Sequence, residues 1–245
     1  MPDLNGSLTL DYPLARRRSE FLLVTVCAAV LSLAACHDDS TTAPLTASTV
    51  TVLSGGSQSG TVGAALAAPV VLQVNDQNGK ALAGVAVTLT VGANAGSVPS
   101  TVLTTDANGQ VSTSWTLGTV AATDTLAAQV GALPVVDVVA TAAPGAAASV
   151  VVMDGDGQTA AAGASLSAAL TVKVVDQYGN GVPNVTVTFA DDANGALAAS
   201  TVTTDASGIA TDALTLGPNA GPDDVTASID TPSGTVSATL HETAS

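Results

Sequence analysis

An all-β fold of two tandem Greek-key β-sandwiches is the architecture this sequence predicts, and it does so through alternation, repetition and composition. Leu170, Val172 and Val174 alternate with Thr171 and Lys173, and after a Gly/Asn/Pro stretch Val185, Val187 and Phe189 alternate with Thr186 and Thr188. Period two is the signature of strands buried on one face. The same phrase occurs about 100 residues earlier, where Val70, Leu72 and Val74, then Val85, Val87 and Leu89, hold the matching inward positions. Charged residues are 10% and aromatic ones 2% of the chain, so the cores must be built from Val, Leu and Ala. Their β-branched content and strict alternation bury enough surface to offset chain entropy, and low charge here does not mean disorder.

The chain opens on a leader. Arg16, Arg17 and Arg18 precede an uncharged apolar run from Phe21 to Ala35, and Leu33, Ala34, Ala35 and Cys36 give way at once to His37, Asp38 and Asp39. That is a basic region, an apolar region and a small-residue cleavage box, so residues 1–35 are expected to be a signal peptide. The run is short for a spanning helix. Leu33-Ala34-Ala35-Cys36 resembles the lipobox of bacterial lipoproteins, which implies lipidation of Cys36 as the new N-terminus. His37 rather than Asp after the Cys resembles the outer-membrane address of enterobacterial lipoproteins, facing either the cell surface or the periplasm. The expected membrane partner is reached through this lipid anchor.

Residues 36–47 are small and polar and are expected to be a tether. The first module then spans 48–141, with strands expected at Thr49 to Leu53, Pro69 to Asn75, Val85 to Val91, Thr101 to Thr105, Gln110 to Leu117, Thr125 to Val130 and Val135 to Ala140. Turn signals at Gly55-Gly56, Asn78-Gly79, Asn94 and Asn108-Gly109 separate them, a spacing that fits a two-sheet sandwich. Residues 142–147, Ala-Ala-Pro-Gly-Ala-Ala, are the expected linker, and 148–242 repeat the module: Val150 and Val152 answer Val50 and Val52, Leu214 and Leu216 answer Trp115 and Leu117, and Val225, Ala227 and Ile229 answer Leu126, Ala128 and Val130. With Cys36 lipidated and Cys27 in the leader, no cysteine pair is left to staple a sandwich, and packing must hold each one.

The formal charge is −15. Asp3, Asp11 and Glu20 offset the three leader arginines, so the part after the leader carries the same charge and would repel phosphates. No nucleic-acid partner is expected. Nor are catalysis, a cofactor or a small-molecule substrate: the only histidines, His37 and His241, sit in the tether and the tail, far from any arrangement of nucleophile and base. Asp residues fall mostly in turns, where backbone hydrogen bonding explains them. Asp76-Gln77 and Asp176-Gln177 stand where strands end. The calcium candidate is the oxygen-rich turn holding Asp154 and Asp156, weighed against a plain Gly-rich turn, and a required metal is not expected. Asp191-Asp192 and Asp223-Asp224 have no acidic doublet opposite them in the first module. Trp115 shares inward parity with Val111 and Leu117 and is expected in the core.

Three segments carry a family resemblance: Val174 to Phe189 (VVDQYGNGVPNVTVTF), Ser200 to Ala210 (STVTTDASGIA) and Ala220 to Ile229 (AGPDDVTASI). They resemble the group 1 bacterial immunoglobulin-like domains of the invasin and intimin adhesins, and the first module resembles them with more drift. The resemblance implies immunoglobulin-like sandwiches acting as a spacer, scaffold or adhesion module of the cell envelope. The alternative is a module that binds an envelope protein or polysaccharide.

Overall fold

The computed structural model describes residues 43–245. The expected signal peptide, the Leu33-Ala34-Ala35 box, Cys36 and His37 lie outside the described residues. In the first module the strands are β1 (Ala47–Ser54), β2 (Gln58–Thr61), β3 (Val70–Asp76), β4 (Ala86–Val91), β5 (Val102–Thr104), β6 (Gln110–Thr113), β7 (Thr123–Gln129) and β8 (Val136–Ala143). They form a three-stranded sheet, β1-β3-β6, and a five-stranded sheet, β2-β8-β7-β4-β5.

The second module repeats the plan with β9 (Ser149–Asp154), β10 (Thr159–Ala160), β11 (Leu170–Val175), β12 (Thr186–Asp191), β13 (Ala196–Leu197), β14 (Thr201–Thr203), β15 (Ile209–Asp212), β16 (Leu214–Thr215), β17 (Gly221–Thr231) and β18 (Gly234–Ala244). Its sheets run β9-β11-β15 and β10-β18-β17-β12-β14, with β13 and β16 paired beside them. The two-sandwich, all-β reading of the sequence is what the chain adopts.

The alternation places the cores. Along β3, Val70, Leu72 and Val74 are buried between half-buried neighbours, and β11 does the same with Leu170, Val172 and Val174. Each module has its own apolar cluster, the first around Trp115, Leu89 and Leu126, the second around Phe189, Leu170 and Leu240. Val187 is fully buried and Thr188 exposed. Val187→Ala should therefore destabilise the second module by about 1 to 3 kcal/mol through the cavity it leaves, while Thr188→Ala stays within about 0.5 kcal/mol. Urea titrations of the two variants check the difference, and equal effects would reverse the facing of β12.

Three details depart from the expected strands. Gln58–Thr61 forms β2, which pairs in parallel with β8 from Gln58↔Ala140 to Thr61↔Ala143. The chain leaves β1 at the Gly55 turn and crosses to the other sheet, and β10 repeats the crossing in the second module by pairing in parallel with β18. The expected strand from Gln110 to Leu117 stops at Thr113, because the Trp115 carbonyl accepts from the Leu66 N–H, and Thr116 exchanges hydrogen bonds with Ser97. Finally, β8 takes in Ala142 and Ala143 from the expected linker.

Repeated polar pairs close the strand connections. The buried hydroxyl of Thr105 accepts from the Val85 N–H and donates to the Leu82 carbonyl, and Thr204 does the same with Val185 and Val182.

Candidate functional site

Asp76, Asp106, Asp176 and Asp205 hold turns by accepting from the backbone, the role the sequence suggests for its aspartates. Asp106 Oδ1 accepts from the N–H groups of Asn108 and Gln110, each at 2.8 Å, and Asp205 Oδ1 from those of Ser207 and Ile209 at 2.8 and 2.9 Å. The Ile209 N–H, followed by that of Ser207, holds the Asp205 carboxyl below its ordinary range. Asp76 closes β3, and its Oδ1 accepts from Asn78 and Lys80; Asp176 follows β11 and accepts from Tyr178 and Asn180. These pairs terminate strands, and Asp176 does more.

The Asp176 turn joins the modules. Asp176 Oδ2 accepts from the Gly145 N–H at 2.8 Å, tying the connection between modules to the second sandwich. Asn180 reaches back to the first: its Oδ1 accepts from the Ala121 N–H at 2.9 Å and its Nδ2 donates to the Thr119 carbonyl at 2.9 Å. The Tyr178 hydroxyl sits beside Gly63, where an added Cβ would come within 2.7 Å of it. In the first module Lys80 stands in Asn180's place, and Gln77 accepts from the Thr46 N–H instead.

Burial alone would raise the Asp176 carboxyl, but the Asn180 amide and the N–H groups of Gly145, Asn180 and Tyr178 outweigh it and hold the group low. The sign follows: the stability it contributes is present above the unfolded value near about 3.9 and is lost as pH falls through the lower folded value. Melting followed from pH 6 to pH 2 should show the wild-type joint weakening only below about pH 4, and Asp176→Asn should flatten that part of the profile.

Asp154 and Asp156, the calcium candidate, serve separate partners. Asp154 Oδ1 accepts from its neighbour Gly155, and Asp156 Oδ1 accepts from the His241 N–H at 2.7 Å. The structure instead gathers the two acidic doublets. One oxygen each from Asp191, Asp192 and Asp223 lie within 4.8 Å of one another. Asp191 ends β12 and Asp223 lies near the start of β17, and these strands pair. The backbones of Asp192 and Asp224 extend the ladder: Asp192 N–H donates to the Asp224 carbonyl, and Asp224 N–H donates to Asp192 Oδ1. Asp223 faces Glu242 across the β17–β18 hairpin, and both are buried.

Asp191 Oδ2 accepts from the Gly195 N–H, Asp223 Oδ2 from the Gly217 N–H at 2.7 Å, and Glu242 Oε2 from the Gln158 N–H at 2.7 Å. The other oxygen of each of the three is buried without a hydrogen-bond partner. Burial, with Asp223 beside it, pushes the Asp191 carboxyl up to about 6, and burial raises Glu242 as well. At the exposed rim His241 Nδ1 meets Asp224 Oδ1 at 3.1 Å, and that contact raises the imidazole. The donor set of the cluster is oxygen throughout, which suits a hard cation and offers no nucleophile poised beside a base.

Comparison with known proteins identifies the class. Residues 148–241 match the family described as bacterial Ig-like domain (group 1), so the second module is a domain of that kind. The chain is similar to InvD of Yersinia pseudotuberculosis, at 20% identity over 80% of this chain and 57% of that one, with a TM-score of 0.51. It is also similar to FdeC, an Escherichia coli adhesin, at 18% identity over 81% of this chain and 65% of that one with a TM-score of 0.43. With the D0-D1 domain of intimin the identity is 18% over 80% of this chain and 98% of that one, with a TM-score of 0.31. No curated protein matches the chain. At 20% identity the likeness to InvD is one of fold, and it agrees with the Ig-like domain matched over residues 148–241.

Proposed function

We propose that this is a lipid-anchored protein of the bacterial cell envelope, in which two Ig-like modules serve as a spacer, scaffold or adhesion module without turnover. The observation that carries the reading is the order of parts: a Leu33-Ala34-Ala35-Cys36 lipobox and a polar tether ahead of two sandwiches, the second matching the group 1 bacterial Ig-like domains. The bonds from Asn180 to Thr119 and Ala121 support a spacer, because they restrict bending between the modules.

In this reading Cys36 carries the lipid, His37 directs the protein to the outer membrane, and the modules project from that membrane to meet an envelope protein or polysaccharide. Labelled palmitate should enter the wild-type protein and be lost in Cys36→Ser; equal labelling of both would refute the anchor. Added protease on intact cells then separates the two outer-membrane faces, since degradation requires the modules to be outside.

A further inference from the structure

We infer that Asp191, Asp192 and Asp223 form a calcium site at the end of the second module away from the first. The first observation is proximity, with one oxygen of each carboxylate inside 4.8 Å of the others. The second is burial without a partner. Asp223 is 0% exposed, and its Oδ1 has no hydrogen-bond donor; Asp191 Oδ1 beside it has none either. Glu242, opposite Asp223 on β18 and 1% exposed, leaves Oε1 equally bare. Buried ionised oxygens with no donor are strongly unfavourable unless paired with a cation.

Among the described residues no side chain supplies such a cation. After the leader the chain's only basic residues besides His37 and His241 are Lys80 and Lys173. Lys173 reaches toward Gly181 near the opposite end of the module, and His241 Nδ1 is engaged by Asp224.

The first module is an internal control. Its strand register puts Val91 where Asp191 stands, Gly92 where Asp192 stands, and Ala140 where Glu242 stands, keeping only Asp124 in the place of Asp223. Asp124 Oδ2 accepts from the Gly118 N–H at 2.7 Å, as Asp223 does from Gly217. That one bond is therefore what the fold uses. The further carboxylates serve no purpose common to the two sandwiches: Asp191 and Asp192 gather with Asp223 in one oxygen cluster, and Glu242 stands opposite Asp223 on the neighbouring strand. Carboxylate oxygens alone, with exposed Asp192 at the rim open to water, suit the flexible six- to eight-oxygen shell of calcium.

The inference goes beyond the envelope reading, which does not need it: loss of palmitate labelling and loss of a calcium response would be separate failures. The full chain, stripped with EGTA and titrated with calcium chloride, is followed by circular-dichroism melting. With the weak affinities of extracellular modules, 10 mM calcium should raise the melting temperature of the second module by about 3 to 10 °C, saturating as one site. Asp192→Asn keeps the acceptor for the Asp224 N–H, and Asp191→Val installs the first module's residue, so both should fold. Each should lose most of the shift, whereas Asp154→Asn should keep it. An unchanged wild-type melting temperature would mean that the bare oxygens share a proton instead, and it would overturn the site; so would a calcium response that survives Asp191→Val and Asp192→Asn together.

Discussion

Trp115→Ala is expected to destabilise the first module by about 3 to 5 kcal/mol, most of what a module of this size has to spare. Trp115 is 0% exposed and lies within the cluster formed by Leu66, Leu72, Leu117 and Leu126. The core has little else of that volume, since its remaining members are Val, Leu and Ala. Truncation would leave a cavity that the sheets close only in part. It would also strip the Nε1–H that donates to the Ala95 carbonyl at 2.8 Å and leave that buried acceptor bare. Trp115→Phe separates the two losses: it keeps most of the volume and gives up the bond, for about 1 to 3 kcal/mol. Because the chain has 1 Trp, its fluorescence reports the first module in the wild type, and circular dichroism in urea must serve for the variants. A Trp115→Ala midpoint close to the wild type's would place the indole outside the load of the core.

The parts of this fold that could be read from the residues are those carried by local alternation. Val70, Leu72 and Val74, and their echoes Leu170, Val172 and Val174, announce their burial in five residues each, and the repeat doubles the evidence. Strand β2 could not be read this way. Gln58–Thr61 is short and polar, and what makes it a strand is parallel pairing with β8, some eighty residues along the chain. The carboxylate cluster was hidden for the same reason. Asp191-Asp192 and Asp223-Asp224 look like two unrelated doublets until the pairing of β12 with β17 sets them side by side. The turn of Asp154 and Asp156, compact in sequence and rich in oxygen, looks like the better site, yet its two carboxylates go to Gly155 and His241. Asn180 reads as a turn residue, and its second use appears only because Thr119 and Ala121 belong to the other module.

Gly217→Ala should be nearly as damaging to the second module as Trp115→Ala is to the first, though it adds a methyl group instead of removing a ring. A Cβ built at Gly217 would lie 2.1 Å from the Ala193 carbonyl oxygen, a backbone atom that cannot swing aside. The first module is built alike, with a Cβ at Gly118 only 1.6 Å from the Asn94 carbonyl. Relieving that clash means moving the 217 backbone, which holds two other loops. Its N–H donates to buried Asp223 Oδ2, and its carbonyl accepts from the Gly163 N–H at 2.9 Å. Overpacking of this kind is worth about 1 to 3 kcal/mol, and a lost hydrogen bond to a buried carboxylate about 1.5 to 3, so a total near 3 to 5 kcal/mol is expected. Gly179→Ala is the control for the glycine backbone itself. It has φ +87° with open space around the added Cβ, and should lose only about 1 to 2 kcal/mol. Urea denaturation of the two variants decides the point: if Gly217→Ala proved no worse than Gly179→Ala, the close approach of the 217 and 193 backbones would not be what shapes this end of the sandwich.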